Sequence, residues 1–114
     1  MIFKWSVFLA DLNPVVGSEQ QGKRPVLVVS DETFNGCMPV VTILPITSRK
    51  PGRRIYPNEA LLSRHSGGLD SESIALAHQI RTISKERLIT QLGTIDDAAL
   101  QNSIAEAMRV HLNL

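Results

Sequence analysis

Residues 17–29 read Gly-Ser-Glu-Gln-Gln-Gly-Lys-Arg-Pro-Val-Leu-Val-Val, a polar segment bracketed by two glycines that runs directly into an apolar stretch. Consecutive apolar residues rich in valine are typical of a strand buried on both faces. Pro25 can begin this strand, because the first residue of a strand need not donate to the ladder. The sequence therefore predicts a polar loop over 13–23, held on a buried strand over 25–30, and we interpret this loop as the working surface.

The remaining chain is divided into short β-forming segments by glycine, proline and polar turns. Further strands are predicted over 5–12, 39–46, 55–62, 73–83 and 89–94, with turns over 31–36 and 66–68. Alternation along 73–83 places His78 and Gln79 on opposite faces of that strand. Phe34 and Tyr56 are candidate stacking surfaces, and core packing is the favoured role of Phe34.

Helical signals are confined to two places near the end of the chain. Residues 84–88 resemble one helical turn with Ser84 as its N-cap. Asp96 or Asp97 caps a terminal helix, whose apolar positions follow helical spacing at Leu100, Ile104, Ala107 and Met108. The pattern predicts a mainly β fold with a C-terminal helix, a small β-barrel or sandwich.

Length and charge limit the function classes. At 114 residues the chain fits a single domain, 1–114, and its net charge of +1 excludes a general polycation that binds nucleic acid non-specifically. Cys37 is the only cysteine, which excludes an intrachain disulfide and a cysteine-based zinc site. No apolar run approaches the roughly 20 residues of a membrane span. We expect a soluble cytoplasmic protein without a metal or other cofactor.

Four blocks carry a resemblance to a known family. They are Asp11-Leu12-Asn13-Pro14, the segment 17–26, Pro45-Ile46-Thr47-Ser48 and Gln79-Ile80-Arg81-Thr82-Ile83. In this order they closely resemble the MazF/PemK family of toxin endoribonucleases, over roughly residues 5 to 112. The resemblance implies an SH3-like β-barrel, a homodimer, metal-independent cleavage of single-stranded RNA, and control by a cognate antitoxin protein.

The resemblance also implies roles for individual residues. Arg24 and Thr47 fall on the usual catalytic pair of the family, while Gln20 and Gln79 match polar positions that shape the RNA groove. His78 stands where some members carry an acidic residue, which puts a carboxylate base in doubt. The residues expected to contact RNA are Glu19, Gln20, Lys23, Ser48, Arg49, Arg53, Arg54, Gln79 and Arg81.

The chemistry supports these roles independently of the resemblance. Cleavage of RNA through its own 2′-hydroxyl needs a proton acceptor, donors for the charge that accumulates on the phosphate, and a proton for the leaving 5′-oxygen. A guanidinium such as that of Arg24 holds two phosphate oxygens but remains protonated, so it serves as donor rather than base. Thr47 can donate a hydrogen bond, and His78 is the candidate acid or base, with packing on the barrel surface or at a dimer contact as its alternative.

Other functions remain open at this point. The basic side chains can be solvated loop charges, and Thr47 can satisfy a turn at the end of its strand. A related toxin with the same fold binds DNA gyrase without cutting nucleic acid, and a silent member that only binds RNA or antitoxin is a third possibility.

Overall fold

The structure, a computed structural model, describes residues 1–114 as seven strands, two helices and three 3₁₀ turns. The strands are β1 Ser6–Asp11, β2 Lys23–Val28, β3 Val40–Ser48, β4 Glu59–Leu62, β5 Ser73–Leu76, β6 Arg81–Ser84 and β7 Leu88–Thr94. The helices are α1 Glu32–Cys37 and α2 Ala98–Leu112, and the 3₁₀ turns are Ser66–Gly68, Ala77–Gln79 and Lys85–Arg87. Neither helix has the length and apolar character needed to cross a membrane.

The strands form one antiparallel sheet in the order β4-β5-β3-β2-β1-β7, with β6 also paired to β3. Strand β3 is the centre, because β2 pairs with one of its edges while β6 and β5 follow one another along the other edge. The result agrees with the predicted mainly β fold with a C-terminal helix.

Both faces of the sheet are covered by apolar side chains. On one face, which we call the helix face, Val7, Leu27 and Leu44 pack with Ile104 of α2. On the opposite face, which we call the groove face, a second cluster contains Phe8, Ala10, Leu12, Val26, Val28, Val41, Ile43 and Ile83. Because consecutive residues of β2 enter alternate clusters, the prediction of a strand buried on both faces is confirmed.

The two edge strands, β4 and β7, are brought together by a turn rather than by strand pairing. The turn Ser66–Gly68, which follows β4, lies directly on β7. A Cβ atom built on Gly68 would stand 2.0 Å from the carbonyl oxygen of Leu92, and Gly68 has a φ of +78°. Only glycine permits this backbone approach, so the turn completes the barrel-like shape of the bent sheet.

The predicted turn over 31–36 is wrong, since α1 begins at Glu32. The Asp31 carboxylate caps this helix by accepting from the backbone N–H of Thr33 at 3.0 Å. The Glu32 carboxylate accepts from the backbone N–H groups of Phe3 and Lys4, which ties the N-terminus to the helix. Phe34 is 59% exposed, so its expected role in core packing is also wrong.

Two predicted strands are shorter than expected. In the segment 55–62 only Glu59–Leu62 is a strand, and the segment 73–83 is interrupted by the 3₁₀ turn Ala77–Gln79. The interruption occurs because β5 and β6 pair with different parts of β3, and the backbone must turn between them. His78 and Gln79 therefore lie in a turn, and their expected alternation across a strand is wrong.

The predictions for the end of the chain are confirmed. Ser84 accepts from the N–H of Glu86 at the start of the turn Lys85–Arg87, and Asp97 accepts from the N–H of Ala99 at the start of α2. Ile104 and Ala107 are the buried residues of α2, as the helical spacing indicates.

Candidate active site

Hydrogen bonds hold the loop between β1 and β2 at both ends and at its middle. The backbone N–H of Leu12 donates to Gly22 O at 3.0 Å, and the N–H of Gly22 donates to Asn13 Oδ1 at 3.1 Å. Within the loop, Glu19 Oε1 accepts from the N–H of Val16 at 2.5 Å. The Glu19 carboxylate is thus engaged in holding the loop, although the sequence suggested an RNA contact.

A second set of contacts ties this loop to the segment that carries the fourth motif. The backbone N–H of Gln20 donates to Gln79 Oε1 at 3.4 Å, and Arg81 Nη1 donates to Leu12 O at 3.4 Å. The side-chain oxygen Oε1 of Gln20 is buried and has no hydrogen-bond partner. The structure therefore brings Gln20, Gln79 and Arg81 together, as the family motif suggests.

Arg24 lies on β2, one residue inside the strand. Its Nε donates to Gln21 O at 2.7 Å, which anchors the guanidinium at one side. Arg24 is paired with Ala10, whose side chain belongs to the groove face. Its terminal nitrogens make no hydrogen bond within the chain, so they remain available to a ligand.

Thr47 lies on β3, where it pairs with Ile74 of β5. The register between β2 and β3 runs from Val28↔Ile43 to Val26↔Pro45, and Arg24 and Thr47 each lie two residues beyond its last pair. Residues two apart on a strand share a face, so both follow Val26 and Ile43 onto the groove face. The hydroxyl of Thr47 has no hydrogen-bond partner in the chain. The two residues expected as a catalytic pair therefore lie on one face of adjacent strands.

Arg24 also borders an open polar pocket of about 350 Å³. The pocket is lined by Gln21, Lys23, Arg24, Pro25, Ile46, Ser48, Leu69, Asp70, Ser71 and Ser73. Ser48 Oγ lies 3.2 Å from Ser71 Oγ across this pocket. Of the expected RNA-contacting residues, Lys23 and Ser48 are thus brought beside Arg24.

His78 contacts a residue that the sequence analysis did not single out. Its Nε2 lies 2.9 Å from Glu59 Oε2. The same carboxylate accepts from Arg53 Nη1 and Nη2 at 2.6 and 2.8 Å, and from the backbone N–H of Tyr56 at 3.0 Å. The Arg53 hydrogen bonds are the largest cause that lowers the pKa of Glu59 to about 2, and Glu59 in turn raises the pKa of Arg53.

Of the arginines in the loop after Thr47, two form ion pairs and one does not. Arg49 pairs with Glu72 at 3.1 Å, and Arg53 is engaged by Glu59. Arg54 has no ion pair and stands over the ring of Tyr56, with 5.3 Å between its guanidinium carbon and the ring centroid. Arg54 is therefore the arginine of this loop whose charge is open to a phosphate.

Glu59 is the functional candidate that the sequence did not reveal. The one signal was a carboxylate within the otherwise apolar strand segment 59–62, which could equally mark a strand end. No group of three or more histidine, cysteine, aspartate or glutamate side chains is arranged to hold a metal ion.

Comparisons with known proteins identify the family of the chain. Residues 4–112 match the family model for PemK-like, MazF-like toxins of type II toxin-antitoxin systems. The chain is 35% identical to endoribonuclease MazF9 of Mycobacterium tuberculosis over 119 aligned positions, covering 100% of this chain and 98% of that protein.

Solved structures show the same fold. MazF from Deinococcus radiodurans superposes with a TM-score of 0.82 at 27% identity, covering 100% of this chain and 99% of that one. A mycobacterial endoribonuclease in complex with its cognate antitoxin has a TM-score of 0.80 at 24% identity, covering 100% and 97% of the two chains. The chain belongs to the family of PemK-like, MazF-like toxins of type II toxin-antitoxin systems.

Proposed function

We propose that this protein is a toxin endoribonuclease that cuts single-stranded RNA at short sequences without a metal ion. The observation that carries the proposal is the placement of Arg24 and Thr47 on the groove face of the adjacent strands β2 and β3, where the terminal nitrogens of Arg24 and the hydroxyl of Thr47 have no hydrogen-bond partner. The name of the 35% identical relative, an endoribonuclease, supports the same reaction.

The reaction is an attack of the 2′-hydroxyl on the adjacent phosphate. The O2′–H bond breaks as a base takes the proton, the O2′–P bond forms, and the P–O5′ bond breaks while the 5′-oxygen takes a proton. The products are a 2′,3′-cyclic phosphate and a 5′-hydroxyl end, so no water is consumed in the cutting step.

Arg24 and Thr47 act on the phosphate. The guanidinium offers two N–H groups to the non-bridging oxygens, where negative charge accumulates in the transition state. Its position is held by the Nε hydrogen bond to Gln21 O, so little reorganisation is needed when the substrate binds. The Thr47 hydroxyl donates a further hydrogen bond. Because arginine stays protonated in proteins, the proton acceptor is another group, and His78 is our candidate.

RNA contacts are distributed around this pair. Lys23 and Ser48 line the polar pocket beside Arg24. Gln20 precedes Gln21, whose carbonyl anchors Arg24, and its Oε1 has no hydrogen-bond partner. Arg54 and Tyr56 together offer a cation and an aromatic plane for a phosphate and a stacked base. Glu19, Arg49, Arg53, Gln79 and Arg81 shape the groove through the contacts described above.

The partners follow from the same proposal. We propose a cytoplasmic location, since the proposed substrate is RNA. Solved family members in complex with MazE or another cognate antitoxin support an antitoxin protein as its regulator. We expect a homodimer. Two exposed apolar surfaces support this expectation. One is the edge strand β4 with Leu61, and the other is formed by Val110 and Leu112 on α2.

The test is incubation of purified wild-type protein and Arg24→Ala with a long single-stranded RNA in EDTA, followed by mapping of cut sites and end chemistry. We expect discrete cuts by the wild type, with cyclic-phosphate and 5′-hydroxyl ends, and a loss of at least about 100-fold in rate for Arg24→Ala. Arg109→Ala is the matched control, because Arg109 lies exposed on α2. A folded wild-type protein that leaves RNA intact would favour gyrase binding or a silent member instead.

A further inference from the structure

Glu59 is the one charged residue of the chain that is buried, although it stands on the edge strand β4. Its side chain is 2% exposed, and the remaining buried polar residues, Ser6, Asn35 and Ser73, are uncharged. A buried carboxylate costs free energy unless it is paired and hydrogen-bonded. The Glu59 carboxylate is instead hydrogen-bonded by Arg53, the backbone N–H of Tyr56 and His78.

The hydrogen bonds of Glu59 determine which nitrogen of His78 carries a proton. A carboxylate ionised down to pH about 2 is only an acceptor, so the 2.9 Å contact requires that His78 Nε2 donates. In the neutral imidazole the proton is then on Nε2, and Nδ1 holds a free lone pair. His78 Nδ1 has no hydrogen-bond partner in the chain, and its side chain is 32% exposed.

Glu59 lies on the same face of the sheet as the proposed catalytic pair. Thr47 is opposed to Ile74 on β5, and Ile74 is opposed to Leu61 on β4. Glu59 is two residues from Leu61, so its side chain shares the groove face with Arg24 and Thr47. Two strand spacings across and two residues along correspond to about 12 Å between the Cα atoms of Thr47 and Glu59.

A second connection comes from the neighbour of His78. Gln79 contacts the backbone of Gln20, in the loop whose Gln21 carbonyl anchors Arg24. The 3₁₀ turn that presents His78 is thus attached to the loop that presents the guanidinium.

We propose that Glu59 is a positioning residue for RNA cleavage, which holds His78 with Nε2–H toward its carboxylate and Nδ1 free to accept the 2′-hydroxyl proton. This inference rests on the proposed endoribonuclease function. In the step, the O2′–H bond breaks and an Nδ1–H bond forms. Glu59 then faces an imidazolium whose second N–H it already binds. The 2′-oxygen attacks phosphorus, the P–O5′ bond breaks, and the departing 5′-oxygen takes a proton from water. The hydroxide that remains then receives the proton from Nδ1, which restores the neutral imidazole.

Arg53 keeps this carboxylate in place. Its two hydrogen bonds fix both oxygens of Glu59, and the oxygen that faces His78 is therefore defined in position. The other titratable group that faces the His78 ring is His111 of α2, with 6.5 Å between the ring centroids. A pH profile must therefore be compared between His111→Gln and the wild type before it is attributed to His78.

The first experiment measures the tautomer directly. In protein labelled with ¹⁵N-histidine, a long-range ¹H–¹⁵N spectrum at pH 8.5 separates Nε2–H from Nδ1–H rings, and His78→Gln assigns the signal. We expect the Nε2–H form in the wild type and a mixture of tautomers in Glu59→Gln. A wild-type ring protonated on Nδ1 would overturn the proposal.

The second experiment separates a catalytic effect from a loss of folding. We expect Glu59→Gln to lower kcat by about 10- to 100-fold, the range found when a partner that orients a ligating histidine is removed, with KM little changed and the acid limb of the pH–rate profile displaced. Because this change leaves Arg53 without its partner, the double variant Arg53→Met, Glu59→Gln serves as a second test without the unpaired cation.

Glu106→Gln is the matched control, since Glu106 also pairs with an arginine, Arg109, but both side chains are exposed on α2. Cleavage by both Glu59 variants with wild-type kcat and pH profile, while Arg24→Ala is inactive, would overturn this inference and leave the proposed function standing. A wild-type protein that cuts no RNA would overturn the proposed function, and with it the catalytic role of Glu59.

Discussion

Replacement of Arg53 by alanine removes the cation that neutralises the buried carboxylate of Glu59. Two hydrogen bonds of 2.6 and 2.8 Å are lost, and the Glu59 side chain, 2% exposed, keeps only the Tyr56 N–H and His78 as partners. Removing one member of a buried ion pair is far more costly than replacing both, because the other charge stays buried. We therefore expect the main effect of Arg53→Ala to be a loss of stability of the fold.

The size of the effect follows from the pKa of Glu59. A shift from 4.5 to about 2 corresponds to about 3 kcal/mol of stabilisation at pH 7. Hydrogen bonds to Arg53 are the largest cause of that shift, so Arg53→Ala should lower the free energy of unfolding by most of it. Arg54→Ala is the matched control, since Arg54 is exposed and has no ion pair, and it should change the free energy of unfolding by less than about 1 kcal/mol.

Urea unfolding of both variants and the wild type at one protein concentration measures this difference. The pKa of Glu59 is lower in the folded state than in the unfolded state. The stabilisation that ionised Glu59 gives the fold is therefore fully present above about pH 4.5 and is lost as the pH falls toward 2. The difference in free energy of unfolding between the wild type and Arg53→Ala should decrease as the pH falls through that interval. If the free energies of unfolding of Arg53→Ala and Arg54→Ala differ by less than 1 kcal/mol at pH 7, the account of the buried pair is refuted.

Two further predictions concern the RNA groove and the terminal helix. Arg54→Ala should weaken RNA binding and lower the slope of log K against log salt concentration by about one, as expected for one lost phosphate contact; an unchanged slope in a fluorescence titration would place Arg54 outside the groove. Asp97→Ala should lower the free energy of unfolding by about 1 kcal/mol through the loss of the α2 cap, whereas Asp96→Ala, one residue earlier, should have little effect; equal effects in thermal unfolding would contradict the assignment of Asp97 as cap.

The division between Arg53 and Arg54 changes how the basic loop is understood. The sequence places them side by side with equal charge, and both were expected to contact RNA. In the structure one guanidinium is bound by Glu59 and the other is free. A loss of RNA cleavage in Arg53→Ala would therefore be explained first by displacement of Glu59 and His78, and only then by a lost RNA contact.

Local signals allowed much of the fold to be predicted. The valine-rich run after Pro25, the caps Ser84 and Asp97 and the helical spacing of Ile104 and Ala107 each depend on residues close in sequence, and each is confirmed. The errors arose where distant contacts outweighed local preference. Asn35 and Gly36 suggest a turn, but Asn35 is buried and donates to Ser30 O and Glu32, which favours the helix α1.

By itself the sequence determined the family motifs, the mainly β composition with a terminal helix, and the identity of Arg24 and Thr47 as candidates. Only the tertiary structure decided that these two residues lie on one face of adjacent strands, since this depends on the pairing and register of β2 with β3. The same is true of His78 and Glu59, which are 19 residues apart and meet through the pairing of β4 with β5 and the turn that follows. The physical reason is that side-chain proximity across a sheet is set by strand order and register, which depend on the packing of the whole chain rather than on any one segment.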